Sequence, residues 1–165
     1  MKWRNHKMVT FSAVFSMTGG VLAATAAMIG SVLPDVLEMR GVIPHRTITH
    51  YLWFWLAGSI TVWFDLKGSG FSSFFLYSSF FIVSGGLLHV CEDALSNGGI
   101  PIYTPYGARM GLGIYKTDTV SEEFTVLGLV ALFIGFAWFR GFLSKEHLSD
   151  QVKIVTTVLG RVARL

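Results

Sequence analysis

The chain has 165 residues, of which 52% are hydrophobic and only 14% charged, against the roughly 25% charged residues of an ordinary soluble domain. That length allows one domain, and the composition, with 14 Phe and 5 Trp, excludes an ordinary soluble globule and points to an integral membrane protein. The net charge of +3 is scattered over termini and loops, which suits contact with anionic membrane lipid and excludes a nucleic-acid footprint.

Lys2, Arg4 and Lys7 precede an uncharged run, Met8 to Leu33, in which Ala24-Thr25-Ala26 looks like a signal-cleavage site. The run is expected to be retained as structure. It is longer than the ~20 apolar residues a spanning helix needs, it is interrupted by Thr18-Gly19-Gly20, and it stops at Pro34. Two structures fit it: one long tilted helix, or a re-entrant hairpin of two half-helices turning at the glycines.

A polar loop from Arg40 to Thr47 leads into a second span, Ile48 to Phe64, which ends in the turn residues Asp65 to Gly70. A third span, Phe71 to Val90, follows directly, so the two form an antiparallel pair. At the helical rise, His50 lies roughly 22 Å back from the turn and His89 roughly 28 Å beyond it, which places both at one side of the bilayer. Glu92 to Glu123 reads as a long surface connection rich in Gly, Pro and Tyr. Thr119 through Glu122 fits a capping box before a last span, Phe124 to Phe139. In the tail, Leu148, Val152, Val155, Leu159 and Val162 make one apolar helical stripe, with Lys145, Lys153, Arg161 and Arg164 among the polar positions. The expected fold is therefore all-α. Residues 1–140 form a polytopic helical membrane domain whose N-terminal segment is a candidate re-entrant hairpin, and residues 141–165 form an amphipathic tail.

Titratable residues in such a chain mark chemistry, because an ionisable group at the edge of hydrocarbon needs a partner. His89 and Asp93 are spaced i, i+4, on one helix face. His45, His50 and Asp35 end on the same side of the membrane. Mixed imidazole and carboxylate donors favour Zn²⁺, with Mn²⁺ or Fe²⁺ as alternatives, and five or six donors suit two ions better than one. Cys91, between His89 and Asp93, is either a further ligand or a small apolar filler. Arg46 is placed to hold a phosphate or to steady a ligand carboxylate, its alternative being a contact with lipid headgroups. Asp35 serves either as a ligand or as a catalytic base. A non-catalytic metal-binding protein, an ion transporter or the subunit of a membrane assembly, is the rival reading. The few polar residues at mid-depth of spans two and three (Ser59, Thr61, Ser78 and Ser79) weigh against transport.

The order and spacing of these residues resemble the YdjM-like family of bacterial inner-membrane metal-dependent hydrolases over residues 6 to 130. The likeness rests on His6, Gly30-Ser31-Val32-Leu33-Pro34-Asp35, His45-Arg46-Thr47-Ile48-Thr49-His50, the pair His89 and Asp93, and the run from Gly98 to Gly107. It implies a multi-pass inner-membrane protein, distantly similar to zinc-dependent phospholipases C, that cleaves a phosphoester of a lipid or lipid-linked substrate. The implied metal ligands are His6, Asp35, His45, His50, His89 and Asp93, with Asp35, Arg46 and Glu122 as catalytic residues. On one straight helix His6 and Asp35 would lie about 43 Å apart, so His6 joins the site only if the chain folds back at Gly19-Gly20. The family commonly has a second aspartate two positions after the first; Leu37 stands there in this chain, with Glu38 beside it.

Overall fold

The computed structural model describes residues 1–38, 41–69 and 73–162. Arg40, Gly70, Phe71 and Arg164, which carry parts of the expected loop, turn, third span and tail, lie outside them. The uncharged N-terminal run is two helices, α1 (Trp3–Thr18) and α2 (Val21–Gly30), not one. Gly19 ends α1 in the left-handed conformation, with φ of 68°, and returns its N–H to the Phe15 carbonyl. Glycine adopts that conformation without steric cost, which is why the chain reverses here. The two helices then pack on each other through Ala13 and Val14 of α1 and Ala23, Ala24 and Ala27 of α2, all buried. Single-methyl side chains let the helix backbones approach closely.

A short helix α3 (Leu33–Val36) begins at the proline, and a 3₁₀ turn at Ile48–His50 leads through an extended Tyr51 into α4 (Leu52–Gly68). The helix expected as the second span thus starts later than its hydropathy indicates, and it continues through Asp65 to Gly68, residues expected to turn. Leu66 is 1% exposed, so its burial keeps this stretch helical, and the turn begins at Ser69. α5 (Phe74–Ala94) carries His89 and Asp93 within the helix itself. It lies against α2 at backbone distance. A Cβ on Gly30 would run into the Ile82 carbonyl, and one on Gly85 into the Ala27 carbonyl. α4 packs on the other side, with the buried Trp55 ring over Gly86.

The long connection is not all loop. β1 (Ile100–Pro101) and β2 (Arg109–Met110) pair antiparallel, Ile100 with Met110 and Pro101 with Arg109, so a small sheet interrupts the otherwise helical chain. α6 (Val120–Phe139) packs on α1 through Val9 and Val126. The expected capping box is not formed. Thr119 caps no N–H of α6, and Glu122 turns to the start of α1. α7 (Lys145–Val162) is the amphipathic tail helix, with Leu148, Val152 and Leu159 partly exposed. It is tied to the α1–α2 turn by His147 Nε2 donating to the Gly19 carbonyl at 2.7 Å and by Gln151 accepting from Val21 N at 3.1 Å.

α5 and α6 are each long and apolar enough to cross a membrane, and only 22% and 17% of their most apolar windows are buried inside the protein. A soluble core helix would be mostly buried. Here Phe74, Phe75, Phe124, Leu132 and Phe139 point outward, as lipid-facing residues do.

Candidate metal centre

Because the chain turns at Gly19, both ends of the α1–α2 pair lie at the far end of the bundle, beside the last turn of α5. Four side-chain atoms converge there: His50 Nε2, His89 Nε2, Asp35 Oδ1 and Asp93 Oδ2. The two imidazole nitrogens are 3.1 Å apart. Asp35 Oδ1 is 3.3 Å from His50 and 3.7 Å from His89, and Asp93 Oδ2 is 3.5 Å and 3.8 Å from them. Tetrahedral zinc with bonds of about 2.0–2.2 Å needs donors about 3.3–3.6 Å apart, and these separations bracket that edge.

The tautomers decide what those nitrogens are. His89 Nδ1 faces the Ser31 carbonyl at 2.6 Å, and a carbonyl only accepts, so Nδ1 carries the proton. Thr49 gives its hydroxyl proton to Glu38 at 3.3 Å, which leaves its oxygen to accept from His50 Nδ1 at 3.2 Å. Glu38 Oε1 lies 3.2 Å from the same nitrogen. With both Nδ1 atoms protonated, the neutral rings aim two Nε2 lone pairs at each other, beside two carboxylate oxygens. Four acceptors pointing at one place repel unless a cation lies among them. The residues present therefore fit a divalent metal.

His6 extends the donor set. Its ring stacks on His89 with centroids 3.7 Å apart, and its Nδ1 meets Glu92 at 2.6 Å. Its Nε2 is buried, without a hydrogen-bond partner among the described residues, and lies 3.5 Å from Asp93 Oδ1. By the spacing of their ligand atoms two groups among the described residues could hold an ion: Asp35, Glu38, His45 and His50, and His6, His89 and Asp93. Asp35 is further fixed by the Trp3 indole, which donates to Oδ2 at 2.7 Å. In metal-free protein burial pushes the Asp35 carboxyl up, but contact with His50 and His89 in their protonated forms and the hydrogen bond from the Trp3 indole outweigh it and hold the pKa at about 2.

The other expected residues surround this centre. His45 is at the rim, its side chain 59% exposed and its Nδ1 bound to both Glu38 oxygens at 2.7 and 2.9 Å. Arg46 has left-handed backbone, φ 57°, and is buried, with its guanidinium on Asp93 Oδ2 at 3.0 Å and on Ser96 Oγ and the Gly99 carbonyl. Of its expected roles, the one seen is that of steadying a carboxylate. Glu122 stands apart from the four converging donors. Its carboxylate accepts from Lys2 N and Asn5 Nδ2, both at 2.7 Å, and from Asp118 N at 2.9 Å, and so closes the first turn of α1. Cys91 is exposed in a cavity it shares with Val9 of α1 and Phe133 of α6, and it is not among the converging donors.

Four contributors escaped the sequence reading: Glu92, Trp3, Thr49 and the Ser31 carbonyl. Glu92 had a usable signal, as a buried acid three residues after His89 in an apolar helix. Trp3 and Ser31 had none, since a backbone carbonyl and an N-terminal indole are chosen by tertiary placement.

A sequence model of the YdjM inner membrane protein family matches residues 1–148, and the chain belongs to that family. No curated protein and no solved structure matches it.

Proposed function

We propose that this member of the YdjM inner membrane protein family is a membrane-embedded metal-dependent hydrolase, with zinc as its ion, acting on a phosphoester of a lipid or lipid-linked molecule. The observation that carries the reading is the convergence of two Nε2 lone pairs and two carboxylate oxygens whose opposite ring nitrogens are already committed. His50, His89, Asp35 and Asp93 would hold the ion, with His6 beside them as donor to a second. When bound, such an ion supplies Lewis acidity toward a phosphoryl oxygen and acidifies a water towards a pKa of about 7.

The protein's own groups do the rest. Ser31, Thr49 and Glu38 keep the two ligand imidazoles in the metal-binding tautomer. Arg46 and the Trp3 indole hold Asp93 and Asp35 in place. Asp35 Oδ1 lies 3.3 Å from His50 Nε2 and 3.7 Å from His89 Nε2, which favours the ligand role for it. His45 is better suited to proton transfer, because Glu38 fixes its Nδ1 and its ring is exposed at the rim.

In the bilayer, α4, α5 and α6 cross while the α1–α2 pair enters from the site side and returns to it, with α7 on the opposite surface. The site then lies at headgroup depth, where Trp3, Trp53 and Tyr103 are exposed as interfacial aromatics. Clustering at one end supports hydrolysis over transport, which would distribute ionisable groups through the depth of the spans.

The test is turnover of bis-p-nitrophenyl phosphate and a nitrophenyl phosphocholine by detergent-purified protein, alongside elemental analysis. The expected result is about one or two zinc ions per chain and nitrophenolate release that chelator abolishes and zinc restores. Metal-loaded protein that cleaves neither ester overturns the hydrolase, and metal-free protein overturns the site.

A further inference from the structure

A phosphoesterase here must bring an anion to a centre lined by four carboxylates, those of Asp35, Glu38, Glu92 and Asp93. Arg46, the expected phosphate holder, is already taken. It is 7% exposed, bound to Asp93, Ser96 and Gly99, and packed so closely on Gly98 that a Cβ there would meet its guanidinium. Lys2 and Arg4 are engaged by Glu123, on the side of α1 that meets α6. The open edge of the site is formed by His45 and Asp35, the most exposed members of the cluster.

Arg109 stands at that edge. It is exposed on β2, and its Nη2 donates to the His45 carbonyl at 2.8 Å. Among the described residues that is the one hydrogen bond its side chain makes, of the five donors a guanidinium carries. The ring of His45 is in turn 5.3 Å from that of His50, centre to centre. Strand pairing of Arg109 with Pro101, and the bond from Arg46 to the Gly99 carbonyl just before β1, tie the hairpin to Arg46.

We infer that Arg109 is the anion-positioning residue of this centre, receiving the phosphoryl oxygens of the substrate at the mouth between the β1–β2 hairpin and His45. The inference rests on the phosphoesterase reading and names its positioning group. A guanidinium suits the task because its planar fork matches two phosphoryl oxygens and its charge adds to that of the bound ion in attracting an anion.

The experiment is calorimetric titration of inorganic phosphate into zinc-loaded, detergent-purified protein, comparing wild type, Arg109→Ala and Arg109→Lys, with zinc content measured on each. Phosphate affinity is expected to fall about tenfold or more in Arg109→Ala and less in Arg109→Lys, with zinc content unchanged in both. With bis-p-nitrophenyl phosphate, KM should rise more than kcat falls. Equal phosphate affinity in Arg109→Ala and wild type overturns the assignment, and so does loss of zinc together with phosphate, which marks a structural prop for His45. Phosphate binding that depends on Arg109 supports it even where no ester is turned over, so failure of the hydrolase reading is separately visible.

Discussion

Replacing Glu38 with glutamine tests the tautomer argument without removing any of the four converging donors. Glu38 Oε1 accepts from Arg46 N at 3.0 Å and from the Thr49 hydroxyl at 3.3 Å, and that second bond is what leaves the Thr49 oxygen free to hold His50 Nδ1–H. A glutamine can place its amide nitrogen toward Thr49, the hydroxyl then turns its proton away, and the His50 proton is released to Nε2. Loss of an outer partner of this kind costs 10–100-fold in metal affinity, about 1.4–2.8 kcal/mol. His89→Ala removes one of four donors that share a binding energy of about 10–16 kcal/mol, so it should cost about 3–4 kcal/mol, or 10²–10³-fold. Leu37→Asp restores the acid where the family commonly has one, but Leu37 is 39% exposed, so affinity should stay at the wild-type value. Competition against a chromogenic zinc chelator, with circular dichroism to confirm folding, ranks the three. Wild-type affinity in Glu38→Gln, or His89→Ala binding no more weakly than Glu38→Gln, refutes the reasoning.

Gly85→Ala should lower the thermal unfolding midpoint in detergent, since the new Cβ meets the Ala27 carbonyl and overpacking of this kind costs about 1–3 kcal/mol. Gly128→Ala on α6 meets nothing within 4 Å and should be neutral or mildly stabilising; equal midpoints for the two would show that α2 and α5 are not in backbone contact. Asp35 has a folded-state pKa of about 2, below its ordinary 3.8, so its contribution to stability is complete above that ordinary value and is lost as pH falls through the folded one. In chelator-treated protein, the stability difference between wild type and Asp35→Asn should hold at pH 5 and close between about 4 and 2. A difference already gone at pH 5 contradicts the hydrogen bonds drawn to this carboxylate.

The parts legible in the sequence are those set by local chemistry. Glycine at 19 and 20 inside an uncharged run made a break between α1 and α2 one of the two structures that fit, and the i, i+4 spacing of His89 and Asp93 announced a shared face. The chain lengths on either side of the turn after α4 brought His50 beside His89. What was not legible depends on partners distant in sequence. Asp65 to Gly68 has turn composition, yet Leu66 is buried and the helix continues. Glu122 sits at the right spacing for a capping box, but the start of α1 offers Lys2 N and the buried Asn5 Nδ2, the latter a donor that would otherwise be unsatisfied. The two-residue strands are too short to show alternation, and they cross where Gly99 lets the Met110 backbone approach.

Glu38 and Arg46 show why a single substitution at either would be misread as loss of a ligand. Arg46 holds a left-handed backbone, φ 57°, which costs a residue with a Cβ roughly 1–2 kcal/mol. That conformation aims the Arg46 N–H at Glu38 while its side chain reaches Asp93. One residue therefore ties the carboxylate that orients His50 to the carboxylate that completes the donor set. Glu38 in turn holds His45, so three of the six residues expected as ligands (His45, His50 and Asp93) are coupled through one acid and one guanidinium. Removing Glu38 and Arg46 together should cost less than the sum of the two single losses, because the first already frees the strained turn that the second would disrupt.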